Sequence, residues 1–125
     1  MSRDTTLTIY HNPKCSKSRQ TLSMLTEAGL EPRIVRYLDN PPSQGELRRL
    51  CGLLGIAPGD LLRKGEDAYV KLGLDREGVS DEKIVSDMHN HPILIQRPIV
   101  VAGNAARIGR PPEAVLEIIT RDTDA

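Results

Sequence analysis

The chain has 125 residues, 38% of them hydrophobic and 27% charged, a composition that fits one folded globular domain with its own core. Its 17 Lys and Arg balance 17 Asp and Glu, and it carries no Phe or Trp and three Tyr, so nothing suggests nucleic-acid binding through bulk charge or base stacking. No apolar run approaches the ~20 residues of a membrane span, no basic-then-apolar leader opens the chain, and two cysteines cannot form a disulfide scaffold; a protein of the reducing cytoplasm, neither membrane-bound nor secreted, is expected.

Taken in order, Thr6–Tyr10 alternates polar and apolar residues and reads as a strand. A turn at residues 11–14 leads into a helix starting near Ser16, with Leu22, Leu25 and Ala28 on one stripe and Met24 beside it. Gly29 and Pro32 stop that helix, and Arg33–Leu38 reads as a second strand, giving a βαβ unit with a parallel pair. After Asn40-Pro41-Pro42, Ser43 and Glu46 have capping-box spacing and open a helix whose Leu47, Leu50, Cys51 and Leu54 share a face. Short helices are expected around Leu61-Leu62 and Tyr69–Leu72. Another begins at Ser80-Asp81, carries Ile84, Val85 and Met88, and ends before Pro92. Pro98–Ala102 is a strand, Gly103-Asn104 a turn, Ala105–Ile108 its hairpin partner, and Glu113–Thr120 a final helix. The outline is an α/β (α+β) single domain over 1–125: βαβ, a helical insertion at about 43–91, then ββα.

The segment from His11 to Arg19 carries the chemistry. Cys15 stands between a strand and a helix start, where backbone N–H groups lack intrahelical partners and favour an anion. Lys14, Lys17, Arg19 or a protonated His11 would add to that, and the thiolate is the nucleophilic form of cysteine. These polar neighbours argue for an accessible, reactive Cys15 rather than a buried one. Ser18 fills the place of the second thiol in a Cys-x-x-Cys motif, so a resolving thiol must come from elsewhere. Cys51, on an apolar stripe, is expected in the core. His89 and His91, at a helix end, are expected to complement its dipole or face solvent. No Cys and His cluster has metal-ligand spacing. Arg63, Arg97 and Arg110 sit beside apolar or proline-rich segments, and arginine suits an oxyanion substrate, although charge pattern does not say whether the three converge.

From Tyr10-His11-Asn12-Pro13 through Cys15 to Ser18-Arg19, in Tyr37-Leu38 with Asn40-Pro41-Pro42, and in residues 61–64, 91–95, 97–101, Arg107 and Arg110-Pro111, the chain resembles the glutaredoxin-coupled arsenate reductase family over nearly its whole length. The resemblance implies a thioredoxin- or glutaredoxin-like fold with a mixed four-stranded sheet, in which Pro98 is a cis proline facing the reactive thiol. It implies that Cys15 attacks arsenate, that Arg63, Arg97 and Arg110 bind the oxyanion, and that His11 supports the thiolate. Glutathione, a co-substrate, then captures the thiol–arsenate adduct, and glutaredoxin reduces the mixed disulfide with release of arsenite. No bound cofactor is implied. The chain departs from better-known members in ending soon after its last predicted helix, in its basic loop at Lys14, Ser16 and Lys17, and in Gly109, where some members carry a cysteine. Residues 105–112 look more like a short, poorly characterised bacterial branch.

Three functions follow as expectations. The first is arsenate reduction by a monomeric enzyme. The second is a glutathione-dependent oxidoreductase of the same fold acting on another substrate. The third is a non-enzymatic regulator, although relatives of this fold that bind RNA polymerase commonly carry Cys-x-x-Cys.

Overall fold

A computed structural model describes residues 7–119; Thr6 and Thr120, at the ends of two expected elements, lie outside them. Four strands, β1 (Leu7–Tyr10), β2 (Arg33–Val35), β3 (Ile99–Ala102) and β4 (Ala105–Ile108), form one sheet in the order β2-β1-β3-β4. β1 and β2 are parallel, joined through helix α1 (Ser16–Glu27), whereas β3 is antiparallel to both β1 and β4. This is the mixed four-stranded sheet that the resemblance implied. The apolar run of β3 is buried along its length because strands cover both its edges.

β2 is shorter than expected, ending at Val35 rather than Leu38. It is an edge strand, and its central Ile34 is 48% exposed. α1 buries Leu25 but not Ala28, an exposed C-cap, and Gly29 follows with φ +83° in the left-handed region that glycine tolerates. The last element opens as a 3-10 turn (Pro112–Val115) before becoming α-helical at 116–119, because successive prolines at 111 and 112 withhold backbone donors from its first turn.

The described chain divides into two compact units, one comprising the described residues up to Tyr37 and from Arg97 onward, the other Leu38–Gln96. The first centres on Ile9, Leu25, Val100, Ala102, Val115 and Ile118, and fully burying a side chain of this kind contributes about 1.5–3 kcal/mol. The second contains the expected helical insertion: α2 (Gln44–Leu54), α3 (Asp67–Lys71) and α4 (Asp81–Asn90), with 3-10 turns at Pro58–Leu61 and Pro92–Leu94. The caps anticipated at Ser43 and Ser80 are present, their hydroxyls accepting from the N–H groups of Glu46 and Lys83 at 3.1 Å. Leu47, Leu50 and Cys51 of α2 and Ile84, Val85 and Met88 of α4 are buried; Leu54 is only half-buried. His89 Nδ1 lies 2.8 Å from the Pro42 carbonyl, while His91 is the exposed C-cap of α4.

Candidate active site

Sheet register explains why distant residues meet around Cys15. Tyr10 pairs with Ile99, and Ile99 with Ile108, so the three strands finish in line. The next residues outward are His11, Pro98 and Gly109, and beyond them lie the loop to Cys15, Arg97 and Arg110. His11 prolongs the parallel ladder by donating its N–H to the Val35 carbonyl at 2.8 Å. Gly109 donates to the Pro98 carbonyl at 2.8 Å, and the Arg97–Pro98 peptide bond is cis, as the resemblance implied. Arg110–Pro111 is cis as well, which the sequence did not signal.

The turn before α1 is built by Asn12. Its side-chain Oδ1 accepts from the Lys14 N–H at 3.0 Å, its carbonyl accepts from the Cys15 N–H at 2.9 Å, and Arg19 Nη1 donates to the Pro13 carbonyl at 3.0 Å. The Asn-Pro pair is the sequence signal for such a turn. Cys15 thereby becomes the N-cap of α1, extended at φ −96° and ψ 125°.

Cys15 is 9% exposed, contrary to the accessibility its polar neighbours suggested: the loop residues Pro13 and Lys14 are exposed while Cys15 is buried. Burial pushes the Cys15 pKa up, but four donors together outweigh it. The Ser18 N–H, the Arg97 guanidinium, the Ser18 hydroxyl and the Lys17 N–H face the sulfur and bring its pKa down to about 7. The thiol makes no tight capping bond, so the N–H groups act as a cluster of partial positive charge rather than as one short contact. Arg110 Nη2 lies 3.7 Å from Sγ, and Arg110 Nε donates to the Arg97 carbonyl at 2.7 Å, tying the two arginines together. Ser18 is fully buried, and its Oγ accepts from the Asn12 N–H at 3.3 Å, which leaves its own proton for sulfur.

Two sequence expectations change here. The favourable groups around sulfur are backbone donors, Ser18 and arginines rather than the ammonium groups of Lys14 and Lys17. His11 is not the expected cation: it is 7% exposed, and burial, with Arg36 and Arg19 nearby, holds its pKa below the ordinary value, so the ring is neutral at neutral pH. Its Nδ1 is buried and has no hydrogen-bond partner among the described residues.

His11, Cys15, Ser18, Arg19, Arg97, Pro98 and Arg110 thus belong to one unit. Arg63 belongs to the other, where its Nε meets Glu66 Oε2 at 3.2 Å and its Nη1 donates to Gln96 Oε1 at 3.0 Å. Sequence reasoning missed Thr21 and the close packing of Gly109. A Cβ on Gly109 would fall 2.6 Å from Thr21 Oγ1 and 2.8 Å from Pro98 Cγ, and Thr21 is itself held by donating to the Lys17 carbonyl at 2.8 Å. Among the described residues, no group of His, Cys, Asp and Glu could hold a metal ion, and no helix is long and apolar enough to cross a membrane.

Comparison with known proteins matches residues 10–118 to the ArsC family model. The chain is 50% identical over 112 residues to the uncharacterised protein YfgD of Escherichia coli, covering 89% of this chain and 94% of that one. It is 47% identical over 113 residues to an arsenate reductase of Acidiphilium multivorum, covering 90% and 80% respectively. Among solved structures, an arsenate reductase from Vibrio cholerae superposes with a TM-score of 0.89 at 47% identity, covering 91% of this chain and 98% of that one. The mixed sheet with its βαβ opening and ββα close is the thioredoxin-like arrangement these structures share. By its sequence and its fold alike, the chain belongs to the ArsC family.

Proposed function

We propose that this protein reduces arsenate to arsenite, with Cys15 as nucleophile and glutathione and glutaredoxin as thiol donors. The observation that carries the reading is the Cys15 thiol, held to a pKa of about 7 with the guanidinium of Arg97 facing it and that of Arg110 at 3.7 Å. A thiolate must be available near neutral pH, and a multiply charged oxyanion must be drawn onto it against charge repulsion. Fixed arginines answer the second need, since a planar guanidinium can donate to two oxygens of one tetrahedral anion. The named arsenate reductases among its relatives support the substrate.

Thiolate attack on As(V) forms an S–As bond while one arsenic oxygen leaves as water, taking its protons from solvent. Glutathione thiolate then attacks Cys15 Sγ. The S–As bond breaks with its electron pair staying on arsenic, so As(V) becomes As(III) and the two sulfurs share a disulfide. Glutaredoxin reduces that disulfide and restores Cys15. Ser18 occupies the position a resolving cysteine would take, which is why the second thiol is external. Arg97 and Arg110 serve as oxyanion ligands, Arg19 and Pro98 support the turn and strand that carry them, and His11 acts as a neutral ring rather than a countercharge. No resident redox cofactor is required, and the enzyme works as a cytoplasmic monomer.

The test is NADPH consumption in the presence of arsenate, glutathione, glutathione reductase and glutaredoxin, run beside Cys15→Ser. Consumption that needs both arsenate and Cys15 is expected. A flat trace from protein whose Cys15 alkylates normally would move the function to another substrate of the same thiol chemistry, or to a regulatory partner.

A further inference from the structure

A groove of about 580 Å³ runs along α1, with Lys17, Arg19, Met24 and Glu27 on one side and Pro112 and Glu113 on the other. Cys15 does not line the groove, but each wall includes a residue that faces its sulfur or follows one that does: Lys17 on one side, Pro111 after Arg110 on the other. The Lys17 N–H faces Cys15 directly, and the opposite wall starts just after Arg110, whose guanidinium touches Sγ. From Lys17 to Glu27 the helix rises roughly 15 Å, with cationic side chains at the sulfur end and a carboxylate at the far end. Cys15 is only 9% exposed, so a second thiol must approach it along a restricted path.

We infer that this groove binds the γ-glutamyl arm of glutathione, and so orients the tripeptide's sulfur toward Cys15. The inference rests on the glutathione dependence proposed above. The arm ends in an α-carboxylate and an α-ammonium, a zwitterion that requires a cation and an anion within one short groove. Lys17 or Arg19 receives the carboxylate, and Glu113 receives the ammonium. An uncharged small thiol would gain nothing from such a site, whereas glutathione would be held in reacting geometry before sulfur meets sulfur.

Thiol–disulfide exchange reads this without arsenate. Cys15 thiolate attacks glutathione disulfide, giving Cys15 bound to one glutathione and releasing the other as thiolate; 2-hydroxyethyl disulfide undergoes the same exchange without charges. The groove predicts that the rate with glutathione disulfide saturates, while the rate with 2-hydroxyethyl disulfide stays linear in concentration. Glu113→Lys should raise the half-saturating concentration about tenfold, the loss of one charge-assisted hydrogen bond, and leave the hydroxyethyl rate unchanged. Met24→Trp should fill the groove and act the same way; because Met24 also packs on the core, the exposed Glu113 is the decisive position. Linear kinetics with glutathione disulfide, or equal slowing of both disulfides by Glu113→Lys, would overturn the inference. Selective exchange without arsenate turnover would instead remove arsenate as substrate and leave the groove in place.

Discussion

The two cysteines are both buried, Cys15 at 9% and Cys51 at 4% exposure, yet their thiols are driven in opposite directions. Cys15 caps the N-terminus of α1, where backbone N–H groups, Ser18 and Arg97 overcome the effect of burial. Cys51 lies in the last turn of α2, the negative end of a helix dipole, between Leu47, Leu50 and the following C-cap. Burial pushes its pKa up first, Asp81 and Asp60 push it further, and Arg48 offsets only part of this. Burial therefore does not decide the direction of the shift in this protein. The groups facing each thiol do: N–H donors, Ser18 and Arg97 at Cys15, and carboxylates at Cys51.

After loss of Cys15 itself, the change that should disturb this contrast most is Arg97→Lys. An ammonium keeps the charge but cannot hold sulfur and oxyanion with one planar group, and removing a donor at a reacting anion costs roughly 10²–10³ in rate. Steady-state rates with varied arsenate should show that loss, and alkylation against pH should show the Cys15 titration moved upward. Unchanged rates would remove Arg97 from the oxyanion site.

Gly109→Ala comes next. The new methyl would press on Thr21 and on the Pro98 ring at distances that real contacts do not reach. Overpacking of this kind costs about 1–3 kcal/mol, measurable by urea denaturation. It should also shift Arg110, whose guanidinium reaches Sγ from the adjacent position, and so raise the Cys15 pKa. Wild-type stability and titration in this variant would show that the backbone yields there at little cost.

How much of this was legible in the sequence depended on whether the signal was local. The β3–β4 hairpin was readable because an apolar run, a Gly-Asn turn and a second short run follow one another, and β4 spans the expected Ala105–Ile108. Ser43 and Ser80 marked helix starts through their own hydroxyls. The end of β2 was not readable, since it depends on the strand lying at the sheet edge. Cys15 was legible as a thiol set where an anion is favoured, but not as a buried one, because neighbouring residue types do not say which way a turn aims a side chain. Asn12 sets that aim. The neutrality of His11 depends on burial and on Arg36, 25 positions along the chain (36 − 11), which no local pattern contains. Gly109 gave no turn signal, since it is needed for close approach to Thr21 and Pro98.

Ser18→Ala sharpens the comparison through pH. The variant removes the hydroxyl that faces sulfur and leaves the Asn12 N–H without its acceptor, a cost of about 1 kcal/mol. In the parent, alkylation of Cys15 should rise with pH and level off above about 7; in Ser18→Ala the midpoint should move upward, toward the ordinary 9.0. Folding stability should follow the same window. The native state holds a thiolate that the unfolded chain forms only near 9.0, so the contribution is full above that value and is lost as pH falls through about 7. Cys15→Ser should lack this dependence, and its persistence there would assign it to another group.

The smallest expected effect belongs to Cys51→Ala. If α2 merely buries this thiol among leucines, arsenate turnover and the Cys15 titration should match the parent, and stability should fall by about 1 kcal/mol for the lost packing. In the native parent, Cys51 should resist alkylation at pH values where Cys15 has already reacted, and should become reactive only when urea unfolds the chain. Mass spectrometry of the alkylated protein distinguishes the two sites. Alkylation of Cys51 alongside Cys15 in the folded state would mean that burial and the nearby carboxylates do not control the thiol, and the account of Cys15 built on the same physics would fail with it.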